Sequence, residues 1–453
     1  MNPDQAAGRP DVSRRQFLRT AAVAGAGLVL SQAAQAAPEF LAPQEGAGDE
    51  LALGVVGVGS QGRILLQRCV KIPGVRFVAV CDIWPYHQQY AANILKKYDQ
   101  AVGVYEDYRE MLAKEKHLDA VIVATPDWKH AEITIAALKA GKHVYCEKEM
   151  SNSLEEARQM VLTARQTGRL LQIGHQRRSN PRYWHALKLI DKDKVLGRIT
   201  HFYGQWNRPR LYEIGFPPGK ELADDALKRH GYDTMERFCN WRWYRQYSGG
   251  AMADLGSHQV DVFNWFLKTP PRSVLASGGL DYFNGQGREW YDNVVSIYTY
   301  AAPVGVVRGS YQVLNTTSHG GYYETFMGDE GSLVISEDVR KGLLYREVTA
   351  KRREWEDESQ KIESMDREAI ELKIGETRTA GGERTAEGQK LLEESQKDIH
   401  QLHLENFFNA IRGTATLTCP PEVGYETCIS VLRANDSVAA ARELPFKPED
   451  FVA

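Results

Sequence analysis

An aspartate and a histidine, Asp254 and His258, stand four residues apart in the segment GGAMADLGSHQVDVFNWFL. If this segment is helical, both side chains lie on one face of the helix, and that face can line a cleft. A histidine that titrates near neutral pH suits general acid or base catalysis, and a carboxylate one turn away can orient it or bind a substrate hydroxyl. The spacing alone is also typical of a surface ion pair, so the catalytic interpretation needs support from other motifs.

A glycine-rich segment closer to the start of the chain has the chemistry of a phosphate-binding turn. The apolar run LALGVV precedes it, and a helical pattern follows it. In such a turn the first glycine permits the tight bend, the second lets a pyrophosphate approach the backbone, and the third allows close packing of the helix. The order of strand, turn and helix predicts a dinucleotide site at Gly57, Gly59, Ser60, Gln61 and Gly62.

An acidic residue follows at the position that such a site requires. The apolar run VRFVAVCD ends at Asp82, about twenty residues beyond the third glycine, where a carboxylate is expected to accept the ribose hydroxyls. The same carboxylate repels a 2′-phosphate. The sequence therefore favours NAD over NADP as the cofactor.

The elements that must position these residues are strands that alternate with helices. The strands DAVIVAT, HVYCE and LLQIG continue the pattern, which predicts a parallel, doubly wound α/β sheet. Ligands of such sheets lie beyond the carboxyl ends of the strands. We therefore expect Thr125, Pro126 and the segment from Glu147 through Lys148 to Glu149 to border the cofactor.

Further candidate ligand contacts follow from topology and composition. His175 and Arg177 come directly after the last strand of this sheet and are candidate substrate contacts, whereas a structural salt bridge is the default for Arg178. The segment NWRWYR carries Trp241 and Tyr244, which are suited to stacking on a sugar. Alternating aromatic residues are equally typical of the core and rim of a strand or loop.

The second half of the chain reads as an antiparallel sheet. The runs ITHFYGQW, SVLASGGLDYF, NVVSIYTY and GVVRGSYQV supply strands without long helices between them. One face of such a sheet can pack on helices and the other on a neighbouring subunit, which predicts a homo-oligomer. Residues 346–397 form a charge-dense stretch, which we expect to be a solvated helix or a mobile insertion.

Composition excludes several classes of partner. The net charge is −3, so no large basic field exists for nucleic acid. The six cysteines are scattered without a close pair, and no metal site is predicted. A small molecule is the expected partner.

The N-terminus has the features of an export signal. Arg14 and Arg15 precede an apolar stretch, residues 21–30, and an Ala-Gln-Ala cleavage pattern at residues 34–36. This resembles a twin-arginine signal over residues 1–37, which would engage the twin-arginine export machinery and leave the mature protein in the periplasm or otherwise exported. The stretch is too short for a membrane-spanning helix.

Several of these motifs together resemble the glucose-fructose oxidoreductase/inositol dehydrogenase (Gfo/Idh/MocA) family. They are the glycine turn, Ala-Thr-Pro at 124–126 with His130 close behind, Glu-Lys at 147–148, and Asp-Leu-Gly-Ser-His at 254–258. The resemblance implies a Rossmann domain, residues 50–175, followed by a substrate-binding α/β domain with a mostly antiparallel open sheet, residues 176–453. It adds His130 to the expected cofactor contacts.

The resemblance also implies roles for three residues. The family's catalytic lysine, aspartate and histidine map onto Lys148, Asp254 and His258. We expect His258 to be the acid or base and Lys148 the donor to the reacting oxygen. Asp254 is expected to be an orienting group. The chain departs from the family at Glu149, where the family has a proline. Without the proline, the local backbone and the direction of the Lys148 side chain are not defined by the resemblance. Glu149 also places a carboxylate beside the ammonium group of Lys148.

The expected function is an exported NAD(P)-dependent oxidoreductase that acts on a carbinol of a sugar, glycoside or cyclitol. A tightly bound cofactor is expected, because free NAD is hard to recycle outside the cytoplasm. Two alternatives stay open. One is an NAD-dependent glycosidase that works by transient oxidation and elimination, and the other is a cofactor-binding sensor without catalysis.

Overall fold

The computed structural model of the protein describes residues 50–210, 212–353, 356, 359–365, 367–372 and 392–453. The predicted signal segment and part of the charged stretch lie outside these residues. Within the described ranges, no helix combines the length and the apolar character that crossing a membrane requires.

The first half of the described chain forms a six-stranded parallel sheet. Its strands are β1 (Leu51–Val56), β2 (Val75–Cys81), β3 (Gly103–Tyr105), β4 (Ala120–Val123), β5 (His143–Cys146) and β6 (Leu171–Ile173). They are ordered β3-β2-β1-β4-β5-β6, and every neighbouring pair is parallel. The strand order reverses between β1 and β4, and a crevice at such a point is where ligands bind in folds of this kind.

Helices connect these strands and cover both faces of the sheet. They are α1 (Ser60–Cys69), α2 (Pro85–Lys96), α3 (Tyr108–Lys114), α4 (His130–Lys139) and α5 (Leu154–Thr167). Val121 and Val123 of β4 belong to one buried cluster, whereas Ala120 and Ile122 belong to another. Both faces are therefore buried, as in other parallel sheets. The predicted doubly wound sheet is confirmed.

A ten-stranded, mostly antiparallel sheet forms the second half. Its strands are β7 (Ile199–Asn207), β8 (Ser273–Gly279), β9 (Asn293–Ala302), β10 (Gly305–Leu314), β11 (Tyr322–Gly328), β12 (Gly331–Ile335), β13 (Leu343–Arg346), β14 (Lys361–Ser364), β15 (Arg367–Glu371) and β16 (Leu444–Pro445). The order is β14-β15-β13-β12-β11-β7-β10-β9-β8-β16. Only β7 and β10 pair in parallel among these described strands, so the predicted antiparallel sheet is confirmed.

One face of this second sheet is covered by helices. The helices of this half are α6 (Pro181–Asp191), α7 (Asp224–Arg229), α8 (Met235–Cys239), α9 (Ser257–Leu267), α10 (Ile399–Ile411) and α11 (Pro421–Ala440). Helix α9 is buried along its whole length, and its Phe263 ring lies 4.3 Å from that of Phe202 on β7. The opposite face is open, and Leu275, Val295 and Ile297 are exposed there.

Two segments differ from the expectations. The prediction of a solvated helix or mobile insertion is wrong for part of residues 346–397, because β14 and β15 lie there and extend the sheet beside β13. Strand β14 forms the edge of the sheet, where charged side chains are common, and Ala369 and Ile370 of the adjacent β15 are buried. Helix α10 belongs to the second half in sequence but packs on the first sheet, where Leu404 and Phe408 are buried.

Candidate active site

A cavity of about 710 Å³ lies at the carboxyl ends of the first sheet, where that sheet meets the second half of the chain. We call the part around Gly57–Gly62 and Asp82 the glycine end, and the part around Lys148, Asp254 and His258 the histidine end. Twelve of the expected site residues line the cavity: Gly57, Gly59, Ser60, Gln61, Asp82, Thr125, Pro126, Glu147, Lys148, Trp241, Asp254 and His258. The other five are Gly62, His130, His175, Arg177 and Tyr244, which are not among the residues of its wall.

The glycines of the turn have different roles. Gly57 has φ = +85°, and a Cβ atom there would lie 2.7 Å from the backbone of Thr125. A Cβ on Gly62 would overlap the carbonyl oxygen of Gly57, so this glycine allows α1 to pack against the turn. A Cβ on Gly59 would meet only the His87 ring, at 3.7 Å. A side chain at Gly59 would therefore occupy space in the cavity without disturbing the fold.

Asp82 lies at the carboxyl end of β2 and fixes the glycine turn. Its carboxylate accepts hydrogen bonds from the backbone N–H groups of Val58 at 2.8 Å and Trp84 at 2.9 Å. The His87 Nδ1 atom lies 3.3 Å from the same carboxylate. An ionised carboxylate has about four acceptor positions, so capacity for ribose hydroxyls is left.

These features fit a dinucleotide. Helix α1 begins at Ser60, and no side chain caps its N-terminus, which leaves backbone N–H groups for a phosphate. Gly59 opens the path to them, and Asp82 stands where a ribose is expected. The glycine end can therefore hold a pyrophosphate and its adjoining ribose.

One residue of the glycine end comes from a distant segment. Gln61 Nε2 donates to Glu147 Oε1 at 2.9 Å and lies 3.5 Å from Nδ1 of His400, a residue of α10 that lines the cavity. The sequence analysis missed His400 because its helical pattern lies far from the Rossmann segment in the chain. Only the packing of α10 on the first sheet brings it here.

His130 lies behind the cavity wall and supports it. The ring is fully buried, and its nitrogens lie 2.7 Å from the carbonyl oxygens of Glu149 and Thr125. Burial lowers the pKa of His130 to about 4. The structure thus puts this ring against the loops that carry Thr125 and Lys148, and it does not bring the ring to the cavity itself.

Lys148 reaches the histidine end, and Glu149 turns away from it. The Lys148–Glu149 peptide bond is cis. The ammonium group of Lys148 donates to the backbone carbonyl of Asp254 and lies 3.7 Å from its Oδ1 atom. Glu149 is buried, and its Oε1 accepts the Met150 N–H at 2.7 Å. Burial raises the pKa of Glu149 to about 8, so this carboxyl group is not a strong counter-charge for Lys148.

Asp254 lies in a π-helical turn, Met252–Gly256, that runs directly into α9. Its Oδ1 atom accepts from Arg242 Nε at 3.0 Å, and its Oδ2 atom accepts from Arg208 Nη2 at 3.2 Å. Arg210 Nη2 lies 3.7 Å from Oδ2. Burial acts to raise the pKa of Asp254, but Arg242, Lys148 and the other two arginines hold it well below its ordinary value of 3.8. The group is a permanent carboxylate.

His258 lines the cavity one turn further along α9 but does not pair with Asp254. Its Nδ1 atom is buried with no hydrogen-bond partner among the described residues. Its ring lies 5.2 Å from that of Trp206 and 6.4 Å from that of His175, measured between centroids. Burial, with the nearby charges of Lys148 and Arg177, lowers the pKa of His258 well below 6.5. The imidazole is therefore neutral at neutral pH.

Two of the residues expected to contact substrate, Arg177 and His175, are buried instead. Arg177 pairs with Glu324 and, at 2.8 Å, with Glu337, and its guanidinium is fully buried. The default prediction for Arg178 is confirmed, because it forms a buried ion pair with Asp261 at 2.9 Å. His175 is also buried, behind His258.

The aromatic segment is divided between the cavity and the core. Trp241 lines the cavity, and the Arg242 guanidinium stacks 4.1 Å from its ring. Tyr244 is buried and donates its hydroxyl to Glu236 at 3.0 Å. A second tryptophan at the wall, Trp206, lies near the end of β7 and stacks on Tyr322 with 4.6 Å between ring centroids. Sequence analysis missed Trp206, although its position at a strand end was a usable signal.

Comparisons with known proteins agree with this architecture. Residues 51–175 match the sequence model of an oxidoreductase family with an NAD-binding Rossmann fold, and residues 224–441 match that family's C-terminal alpha/beta domain. Residues 11–31 match the signal sequence of the twin-arginine translocation pathway. The N-terminus is therefore an export signal, as predicted.

Among curated relatives, inositol 2-dehydrogenase of Salmonella typhimurium is 33% identical over 227 residues. That match covers 49% of this chain and 56% of the relative's length. Inositol 2-dehydrogenase of Rubrobacter xylanophilus is 32% identical, with 59% of this chain and 72% of the relative covered.

Solved structures share the fold at low sequence identity. A levoglucosan dehydrogenase in complex with NADH and levoglucosan superposes with a TM-score of 0.64 at 19% identity, covering 88% of this chain and 99% of that protein. WlbA dehydrogenase from Bordetella pertussis, in complex with NADH and UDP-GlcNAcA, superposes with a TM-score of 0.63 at 19% identity and the same coverage. With the two family matches along its length, this chain belongs to the Gfo/Idh/MocA oxidoreductase family.

Proposed function

We propose that this protein is an exported NAD-dependent oxidoreductase that transfers a hydride between its cofactor and a carbinol carbon of a sugar, glycoside or cyclitol. The observation that carries the proposal is one continuous cavity that contains both the glycine end and the histidine end. The expected dinucleotide site and the two groups proposed to act on the substrate hydroxyl, Lys148 and His258, thus line the same cavity. The curated relatives include dehydrogenases of inositols, which are polyols of this kind.

The bound nicotinamide would supply the hydride chemistry, accepting a hydride from the carbinol carbon in the oxidation direction. The hydroxyl group loses its proton in the same reaction, so a carbonyl, a reduced cofactor and one proton result. We assign that proton to His258, because it lines the cavity and its neutral imidazole has a lone pair that can accept the proton. In the reverse direction the imidazolium returns the proton to the carbonyl oxygen.

Lys148 is assigned to the reacting oxygen. Its ammonium group is a hydrogen-bond donor at the cavity wall and can stabilise the negative charge that develops on oxygen as the proton leaves. Asp254 is assigned to positioning. Its contact with Lys148 at 3.7 Å, and the lack of any hydrogen bond from His258 Nδ1 in the described structure, favour Lys148 as the group it holds.

NAD is the proposed cofactor, in preference to NADP. The Asp82 carboxylate lies on the cavity wall and the next residue, Ile83, brings no positive charge to a 2′-phosphate. We further propose that NAD is tightly bound, because export separates the protein from the cytoplasmic cofactor pool. The export signal also favours a second candidate, an NAD-dependent glycosidase, in which oxidation is reversed within one catalytic cycle and no second substrate is needed.

One preparation tests these proposals together. Protein purified from the cytoplasm is denatured, and the released nucleotide is identified by absorbance and mass spectrometry. The intact protein is then assayed for NADH formation with inositols and aldoses, and for aglycone release from aryl glycosides without added NAD. NADH formation supports the oxidoreductase, and aglycone release supports the glycosidase. Neither activity, together with no nucleotide binding, would overturn the proposal.

A homo-oligomer is the proposed assembly. The open face of the second sheet exposes Leu275 and Ile297, which are directly paired across β8 and β9, with Val295 nearby. Exposed apolar clusters of this kind mark interaction surfaces. Light scattering should find more than one copy, and Ile297→Asp should reduce that number; a monomeric wild-type protein would contradict the assignment.

A further inference from the structure

The histidine end carries more positive charge than its carboxylate can balance. Lys148, Arg208, Arg210 and Arg242 all face Asp254, and each lines the cavity. Four cations thus share one permanently ionised carboxylate. His258 adds no negative charge, and the oxidised nicotinamide is itself positively charged.

Two other acidic groups near these cations contribute little to balancing this excess. Glu337 lines the cavity, but it is already paired with Arg177 at 2.8 Å. Asp127 is buried, and it accepts the Gly249 N–H at 3.0 Å. Burial raises the pKa of Asp127 to about 7, so it is a weaker counter-charge than an ordinary carboxylate.

Two of the arginines have unused hydrogen-bonding capacity. The Arg208 Nε atom is buried without a partner among the described residues, although its side chain is 38% exposed. Arg210 makes no side-chain hydrogen bond within the described structure, and its nearest carboxylate oxygen is 3.7 Å away. Burial lowers the pKa of Arg210 to about 10, and the neighbouring Arg242 and Arg208 act in the same direction. The two arginines thus share one carboxylate with other cations and have capacity left for a second anion.

The backbone holds these two arginines in place. They follow β7 two residues apart, a spacing that directs side chains to the same side of an extended chain. The Arg208 N–H donates to Leu314 and the Arg210 N–H donates to Asn315, each at 2.9 Å. Arg288 donates to the Arg210 carbonyl, also at 2.9 Å. The site is therefore built before any ligand arrives.

We infer that the substrate is an anionic sugar, whose carboxylate or other oxyanion is bound by Arg208 and Arg210 while its carbinol faces Lys148 and His258. Guanidinium groups match the planar, two-oxygen geometry of a carboxylate and also bind phosphate. Trp206 at the same wall offers an apolar face for the ring of the sugar. This inference rests on the proposed hydride transfer, and it names the substrate class for that site.

The test compares neutral sugars with partners that carry an anionic group at the sixth carbon. D-Glucose is paired with D-glucuronate, D-galactose with D-galacturonate, and D-glucose with glucose 6-phosphate; the first two pairs test a carboxylate and the third a phosphate. Binding to the NADH-loaded protein is measured by calorimetry, and oxidation of each sugar is followed separately by NADH formation. At least one anionic member should bind about tenfold or more tightly than its neutral partner, and the advantage should shrink as salt is added.

Variants then test whether Arg208 and Arg210 bind the anionic group of the sugar. Arg208→Gln and Arg210→Gln should each reduce the anionic preference by about tenfold, chiefly through KM, while NADH binding shows that the fold is intact. Arg109→Gln is the matched control, because Arg109 lines the same cavity but pairs with Glu132 at the other end. It should leave the ratio of anionic to neutral binding unchanged.

The outcomes separate this inference from the proposed function. Neutral sugars that bind and react as well as their anionic partners would overturn the inference and leave hydride transfer standing. Equal loss of both members in the arginine variants would overturn it too. Anionic sugars that bind selectively but give no NADH would support the inference and contradict the proposed function.

Discussion

The two ends of the cavity are built in different ways. The glycine end comes mainly from one continuous segment, in which a strand, a turn and a helix follow one another from Leu51 to Cys69, with Asp82 at the end of the next strand. The histidine end joins Lys148 and Arg208 from two loops, Arg242 from a 3₁₀-helical turn and Asp254 from a π-helical turn. Local sequence thus defines the first end, and tertiary contacts define the second.

This difference predicts that substitutions at the two ends fail in different ways. At the histidine end, single charges and proton acceptors decide the chemistry, so their loss should slow turnover and leave the cofactor bound. At the glycine end, backbone shape decides binding, so small added volumes should matter most.

His258→Ala should lower kcat by roughly 10²–10⁴-fold, because a positioned acid or base contributes about this much to catalysis. The NADH dissociation constant should stay near the wild-type value. His201→Ala is the control, since His201 is exposed on β7. Turnover of the His258 variant at the wild-type rate would contradict the role of His258 as acid or base. It would also contradict the proposed difference between the two ends of the cavity.

Gly59→Ala and Gly62→Ala should separate binding from folding at the glycine end. The Gly59 variant should keep its melting temperature and bind NADH roughly tenfold or more weakly, because its methyl group points into open cavity. The Gly62 variant should lose stability, because its methyl group meets the Gly57 carbonyl. Thermal melts and NADH fluorescence titrations measure both. Identical behaviour of the two variants would contradict the assigned roles.

Asp82→Ser should change the choice of cofactor by roughly tenfold or more in favour of NADP, since the repelling carboxylate is removed. The ratio of kcat/KM values for NAD and NADP is the measurement. Part of the effect will be a general loss, because Val58 and Trp84 lose their acceptor. The matched control is Asp107→Ser, which changes another carboxylate of the cavity wall. An unchanged ratio in the Asp82 variant would contradict the NAD preference.

Glu149→Gln should have the smallest effect, a rise in melting temperature of roughly 2–5 °C that is largest above pH 8 and shrinks as the pH falls towards 4.5. Burial raises the pKa of Glu149 from 4.5 to about 8, so the folded protein keeps a proton that the unfolded chain has lost. The stability present below pH 4.5 is therefore lost as the pH rises through 8, and glutamine avoids that loss. Melting curves at pH 5 and pH 9 test this. A difference of equal size at both pH values would show a packing effect instead.

The sequence determined the family, the order of its elements and the cofactor end. These follow from local rules: the glycine turn, the apolar runs and the acidic residue at a fixed distance are read along the chain without knowing its path. The family resemblance placed Lys148, Asp254 and His258 together at the site, which these local rules by themselves did not do. They could not distinguish Arg177 from Arg208, because both follow strands and only three-dimensional packing buries the first against Glu324 and exposes the second to the cavity.

Only the tertiary structure decided how the charges at the histidine end are arranged. Arg208, Arg210 and Arg242 reach Asp254 from positions between 12 and 46 residues away in the chain. His400 reaches Gln61 from 339 residues away. No local sequence pattern predicts these long-range contacts, because the direction of a loop side chain depends on the sheet and helices packed around it. The sequence was thus sufficient to predict the class of cofactor, whereas the charge of the substrate site could be found only from the tertiary structure.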